Sequence, residues 1–241
     1  MKGVINSFQS LGTLDGPGLR YVIFMQGCPL RCINCHNPET WSLDGDKYDL
    51  DDIYARIMRY QNYICNNGGV TISGGEPLLQ WEFIAELFSK LQKSGIHTAL
   101  DTSGIGDLNG AKEVLKYTNL VICDLKFSSQ EEYSKNCKAD IGRVLNFIEL
   151  TEKEKIPLWI RHLIIPGITD TASSINAIVK IAKGYKNLEK FEFLPFKKTC
   201  IPKYKELGFP FPLEQNDECP NTLIEKLAKS QMIPLLTHFN D

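Results

Sequence analysis

The sequence predicts an α/β fold built on a parallel sheet, and three observations carry that prediction. Six short β-rich apolar runs alternate with segments of helical periodicity. At 241 residues and 43% hydrophobic composition, the chain can bury a substantial core. No linker, repeat or low-complexity tract breaks the alternation, so residues 1–241 read as a single domain.

In chain order, strands are expected at 21–25, 70–73, 97–100, 120–125, 158–164 and 191–194, where β-branched and aromatic residues concentrate. Helices are expected at 49–67, 79–93, 108–117, 140–153, 172–183 and 221–229. The clearest is 79–93. Leu79, Phe83, Leu87 and Leu91 recur every four residues, Ile84 and Phe88 widen the stripe, and Gly95 supplies a stop. Strands joined through helices must run parallel. Periodicity alone does not choose between a doubly wound sheet and a barrel, but in both a ligand binds at the carboxyl ends of the strands.

Composition narrows the function classes. A formal net charge of -2 offers no electrostatic case for nucleic acid or an anionic membrane. No apolar run approaches the roughly 20 residues that span a bilayer. The first residues, Met1 to Asn6, lack a signal-peptide core, so a soluble, cytoplasmic protein is expected. Eight cysteines in such a chain point to metal binding or catalysis rather than disulfides. Cys65, Cys123, Cys137, Cys200 and Cys219 are scattered, and each reads as a free thiol.

The other three are not scattered. Cys28, Cys32 and Cys35 follow the first expected strand with C-x3-C-x2-C spacing, within a loop at 26–37. One loop can turn three such thiolates to a common region, and thiolates select iron–sulfur clusters or zinc. A [4Fe–4S] cluster normally takes four cysteines, so three would leave one iron open to a small molecule. A zinc knuckle completed by His36 or a distant cysteine is the alternative, although the second ligand pair usual in such motifs is missing.

Further polar loops fall on the same sheet edge. Ser73-Gly74-Gly75-Glu76-Pro77 follows the second strand, where paired glycines permit close backbone approach to a ligand. Asp101-Thr102-Ser103-Gly104 follows the third, and Asp124-Leu125-Lys126 ends the fourth. Taken singly, these read as a strand-to-helix turn, a helix cap and a solvated charge. Arg161 lies inside an apolar strand, where an unpaired charge is costly, so it should face a polar cavity or a carboxylate.

With these residues in place, the chain resembles the radical S-adenosylmethionine enzymes, and within them the pyruvate formate-lyase activating enzymes. The resemblance rests on Cys28-x3-Cys32-x2-Cys35, Gly74-Gly75-Glu76-Pro77 and the segment Leu14-Asp15-Gly16-Pro17-Gly18-Leu19-Arg20. It extends through Cys35-His36-Asn37-Pro38, Thr40-Trp41, Asp101-Thr102-Ser103-Gly104, Asp124-Leu125-Lys126, Trp159-Ile160-Arg161-His162, Pro166-Gly167-Ile168-Thr169-Asp170 and Lys203-Tyr204-Lys205-Glu206-Leu207-Gly208.

The resemblance implies a partial (β/α)6 barrel, with residues 195–241 closing its edge. It implies one [4Fe–4S] cluster on Cys28, Cys32 and Cys35, its open iron chelated by S-adenosylmethionine. An electron from flavodoxin or ferredoxin would cleave the sulfonium, and the resulting 5′-deoxyadenosyl radical would take a hydrogen atom from a backbone glycine of pyruvate formate-lyase. By the same resemblance Asn34, Cys35 and His36 pass the adenine or sugar, and Gly74, Gly75 and Glu76 hold the methionyl amino end. Asp124, Leu125 and Lys126 lie on the S-adenosylmethionine side of the cavity. Asp101, Thr102 and Asp124 surround a monovalent cation, and Asp15 and Arg161 face the glycine loop. A monomer that docks transiently on its partner is expected.

Two features refine the resemblance. Several related activases insert a cysteine-rich segment after the first cluster motif, whereas residues 36–73 contain only Cys65, which implies a single cluster. The family pattern Pro-Tyr-His, followed two residues later by Gly, reads here as Pro195-Phe196-Lys197, with Cys200 at the glycine. Lys197 is expected to retain a ligand contact as a point charge. An activase for another glycyl-radical enzyme, a radical enzyme acting on a small molecule and a zinc-binding module remain alternatives.

Overall fold

The computed structural model describes residues 1–231. Its centre is an eight-stranded sheet in the order β3-β1-β2-β4-β5-β6-β7-β8. Six strands run parallel: β2 (Arg20–Met25), β4 (Gly69–Gly74), β5 (Thr98–Thr102), β6 (Leu120–Asp124), β7 (Leu158–Ile164) and β8 (Leu188–Pro195). These are the six expected strands. Two further strands, β1 (Lys2–Gly12) and β3 (Asp46–Asp49), extend the sheet antiparallel at one edge. Neither was expected. β1 carries Asn6, Ser7, Gln9 and Ser10 among its apolar residues and exposes much of its length, so hydrophobic alternation does not mark it.

Helices α1 (Leu50–Met58) and α2 (Gln61–Ile64) divide the expected 49–67 helix, and a 3-10 turn at Pro77–Gln80 replaces the first turn of the expected 79–93 helix before α3 (Trp81–Lys93). α4 (Leu108–Leu115), α6 (Ile141–Lys153), α7 (Ala172–Ala182) and α9 (Asn221–Ser230) match the remaining expectations. α5 (Gln130–Cys137) and α8 (Ile201–Glu206) were missed. α5 buries only Tyr133 and Cys137, too few apolar positions to show a period, and Ser129 caps its start through Glu132 N–H.

Successive strand residues point to opposite faces. One face supplies Tyr21, Ile23, Met25, Val70, Ile72, Leu100, Val121, Cys123, Leu158, Ile160, Phe191 and Phe193 to the main core, packed against helix residues such as Ile53, Phe83, Leu87, Val144 and Ile178. The opposite face carries a small apolar cluster of Ala99, Leu120 and Ile122 with Trp159 packed against it. Asp101, Asp124, Arg161 and Glu192 continue the same alternation toward the carboxyl ends of β5 to β8. This second face curls into a lumen. Arg161 on β7 donates to the Leu14 carbonyl just after β1, although five strand intervals separate them in the sheet. At roughly 4.8 Å per interval, a flat sheet would hold them about 24 Å apart. The sheet remains open between β3 and β8, as a partial barrel requires.

Beyond β8, Phe196 N–H donates to the Ile164 carbonyl and Cys219 N–H to the Phe196 carbonyl, while α9 packs on β8. The part of the expected edge-closing segment at 232–241 lies outside the described residues. Among the described residues no helix is long and apolar enough to cross a membrane.

Candidate active site

The thiol loop is seated by backbone hydrogen bonds. Gly27 N–H donates to the Thr40 carbonyl at 2.9 Å, while Arg31 and Ile33 N–H donate to the carbonyls of Cys137 and Asn136 at 3.0 and 2.9 Å. Those two carbonyls end α5 and would otherwise lack partners, so helix terminus and loop satisfy each other. Arg31 reinforces the loop by donating to the Cys28 and Leu30 carbonyls at 2.9 and 2.7 Å. The Gly74–Gly75 turn lies against it. Glu76 N–H donates to the Gly27 carbonyl at 2.8 Å, and a Cβ on Gly75 would stand 2.2 Å from that oxygen, so only glycine fits.

These elements enclose a cavity of about 260 Å3. Cys28, Cys32, Asn34, Cys35 and His36 line one side, with Gly74 and Gly75 beside them. Asp101, Thr102, Asp124, Lys126 and Arg161 line the other. Twelve expected site residues thus line one cavity. Ser73, Ser103, Leu163 and Leu194 join them and were not singled out. Ser73 and Ser103 sat within recognised motifs, while Leu163 and Leu194 carry no signal beyond strand alternation.

Four expected residues are placed differently. Glu76 is fully buried and does not line the cavity. Its carboxylate accepts from Thr102 Oγ1 at 2.6 Å, Ser103 N–H at 2.9 Å, Ser103 Oγ and Leu78 N–H at 3.0 Å. Every strong acceptor position is used internally, so Glu76 fastens the β4 and β5 loops together. Leu125 is also fully buried, and its carbonyl accepts from His162 Nδ1 at 2.7 Å. Lys197 turns its ammonium outward to 3.7 Å from Glu218 Oε2, with a side chain 40% exposed, and is absent from the cavity wall. Its backbone carbonyl, 2.9 Å from His36 Nε2, is what reaches the site. Asp15 lies in a second, outer groove of about 1110 Å3, lined by residues 13–19 together with Trp159, Lys190 and Glu192. His36, Arg161, Leu163 and Leu194 border both spaces.

Charge in the inner cavity is arranged in pairs. Lys126 Nζ lies 2.8 Å from Asp124 Oδ2. Burial works to raise Asp124, but Lys126 and then Arg161 outweigh it and hold the carboxyl below its usual range. On the neighbouring strand, burial lifts Asp101 to about 6, opposed by Arg161 and reinforced by Asp124. Asp101 accepts from Ser73 Oγ at 2.8 Å and stands 3.7 Å from Arg161 Nη1. Burial also lowers His36 below its ordinary value.

The donor set suits an iron–sulfur cluster. Burial pushes the Cys28 thiol up to about 12 and raises Cys35, where the nearby Lys126 charge only partly opposes it. Trp41 Nε1 is buried without a hydrogen-bond partner and works to lower the Cys35 thiol against burial, as a donor near a ligating thiolate would. Among the described residues, no three His, Cys, Asp or Glu side chains gather closely enough to hold a single ion.

Comparison with known proteins agrees with this geometry. Residues 14–141 match a family described as a 4Fe-4S single cluster domain. In structure, the chain is similar to a domain of a pyruvate formate-lyase activating enzyme from Bacteroides vulgatus, with TM-score 0.56 and 22% identity over 68% of this chain and 93% of that one. It is also similar to Streptococcus suis SuiB bound to S-adenosylmethionine, with TM-score 0.60 and 15% identity over 71% and 39% of the two chains. These likenesses establish the α/β partial-barrel fold. The sequence relationship is closer. A pyruvate formate-lyase-activating enzyme from Staphylococcus epidermidis is 39% identical over 231 residues, covering 92% of this chain and 91% of that enzyme. Identity at that level, sustained across both chains, means that this chain belongs to the pyruvate formate-lyase-activating enzyme family.

Proposed function

We propose that the chain, as one radical S-adenosylmethionine domain, installs a glycyl radical on pyruvate formate-lyase. The observation that carries this reading is the pair of spaces with a common wall. A thiol-lined inner cavity meets a larger outer groove at His36, Arg161, Leu163 and Leu194. The inner cavity suits a small zwitterionic cofactor beside a cluster, and the groove suits an extended peptide.

Cys28, Cys32 and Cys35 would hold one [4Fe–4S] cluster, with S-adenosylmethionine beside it. When bound, these groups supply reductive cleavage of the sulfonium, giving methionine and a 5′-deoxyadenosyl radical that takes the hydrogen atom of a backbone glycine. The protein binds, orients and keeps water out. Gly74 and Gly75 admit close approach of the methionyl end, while Asn34 and His36 flank the adenosyl end. Lys126 and Arg161 offer positive charge to a carboxylate, and Asp101 and Asp124 offer negative charge to an ammonium or sulfonium. The same two carboxylates, on adjacent strands with Thr102, support a monovalent cation between them. Asp15 and Arg161 border the groove for the glycine loop. Flavodoxin or ferredoxin supplies the electron, and the protein acts as a cytoplasmic monomer.

Anaerobically reconstituted protein, reductant, S-adenosylmethionine and pyruvate formate-lyase should give a glycyl doublet by electron paramagnetic resonance. Cleavage of S-adenosylmethionine in the same tube without that doublet would reject the partner and leave the chemistry standing.

A further inference from the structure

The wall between the two spaces contains a buried carboxylate without an assigned role. Glu192 lies on β8 directly opposite Arg161 of β7 and is 3% exposed. Its Oε2 accepts from Arg161 Nε at 3.2 Å, and its Oε1 pairs with Lys190 Nζ. Lys190 in turn sits 4.3 Å over the Trp159 ring, two residues back along the same two strands and on the same face. Arg161 uses its remaining nitrogens elsewhere. Nη2 donates to the Leu14 carbonyl in the groove segment, and Nη1 stands 3.7 Å from Asp101 in the inner cavity.

A guanidinium is a rigid planar fork, so fixing Nε from one side decides where both terminal nitrogens point. A buried carboxylate is costly unless its pairing serves something. Here Glu192 is the group that directs the fork. Removing it leaves Nε without its partner, and nothing then aims Nη2 at Leu14.

We propose that Glu192 is a positioning residue for the glycine loop, acting through Arg161 to brace residues 13–19 against the wall of the cofactor cavity. This rests on the groove being the glycine-loop site. It separates two properties that a merely structural residue would change together: partner-peptide affinity and cofactor affinity.

The test uses reconstituted full-length protein with Glu192→Gln and Glu192→Ala, a peptide carrying the radical-glycine segment of pyruvate formate-lyase, and amide hydrogen exchange of residues 12–19. Loss of a charge-assisted contact should weaken peptide binding about tenfold in Glu192→Ala and less in Glu192→Gln. Affinity for S-adenosylmethionine should stay within about twofold. Exchange at 12–19 should speed up in the same order, and Glu192→Ala should add little to Arg161→Ala. Unchanged exchange and unchanged peptide affinity in a folded Glu192→Gln would overturn the proposal, as would an equal loss of S-adenosylmethionine affinity. If the unsubstituted protein binds S-adenosylmethionine but not the peptide, the partner reading fails. Exchange at 12–19 still decides the role of Glu192 in that case.

Discussion

The thiol loop at 26–37 and the segment at 13–19 border the same wall, yet they are held by different means. The thiol loop is fixed by main-chain bonds to Thr40, Asn136 and Cys137 and by glycines that permit backbone contact. The 13–19 segment is pinned by two arginine side chains. Arg20, fully buried, donates to Thr71 Oγ1 at 2.9 Å and the Val70 carbonyl at 2.7 Å, and Thr71 passes the restraint to the Asp15 carbonyl at 2.6 Å. Arg161 holds the Leu14 carbonyl from the other side. Main-chain anchoring gives a cofactor site one geometry that few substitutions reach. Charged side chains can trade partners, which suits a segment proposed to receive another protein.

The difference can be broken most directly at the thiols. Replacing any one of Cys28, Cys32 or Cys35 with Ser should abolish cluster assembly, taking iron from about four per chain to near zero after anaerobic reconstitution. A variant that retained full iron would show that the loop is not the ligand set.

Arg20→Met should come next, because it leaves the Val70 carbonyl and Thr71 without their buried donor. The expected cost is about 3 kcal/mol, read by urea denaturation. Burial lowers the Arg20 pKa to about 10, so this residue already bears a desolvation cost that its contacts offset. A loss below about 0.5 kcal/mol would mean that the segment is held by Arg161 alone.

A smaller effect sharpens the cofactor side. His162, 1% exposed, donates from Nδ1 to the Leu125 carbonyl under the cavity, and burial lowers its pKa from 6.5 to about 4. The unfolded chain therefore binds a proton that the native state refuses between those values, so stability falls as pH drops from about 6.5 toward 4. Asp101 works the other way below about 6, since its buried carboxyl keeps a proton that the unfolded chain releases. Between pH 7 and 5, His162 should account for about 2 kcal/mol of lost stability, absent in His162→Gln. An identical pH profile in that variant would remove His162 from the account.

The smallest expected effect is at Lys197. Its ammonium faces Glu218 on the surface, so Lys197→Ala should change S-adenosylmethionine affinity by less than about twofold in equilibrium binding. A tenfold loss would show that the side chain turns inward on binding.

Much of this was legible beforehand. The six parallel strands announced themselves through apolar runs, because strands covered by helices must be apolar on that face. The thiol loop, the paired glycines, and the aspartates at the ends of β5 and β6 fell on one edge as expected. What stayed hidden shares one cause, contact between residues distant in sequence. α5 was invisible because its value lies in the two carbonyls it presents to the thiol loop. Nothing local reveals that the Glu76 carboxylate accepts from Thr102 and Ser103.

By itself, the sequence determined the chemistry on offer: three soft ligands after a strand, a glycine turn beside them, and alternating faces that place charged residues opposite the apolar core. Spacing and periodicity are local properties, and local rules suffice for them. Only the tertiary structure decided which charges meet. Arg161 reaches Leu14 because the sheet curls, Lys197 turns out to Glu218, and Glu192 stands across from Arg161 because β7 and β8 pair in one register. Such pairings are set by curvature and register, which arise only when all the strands are packed together.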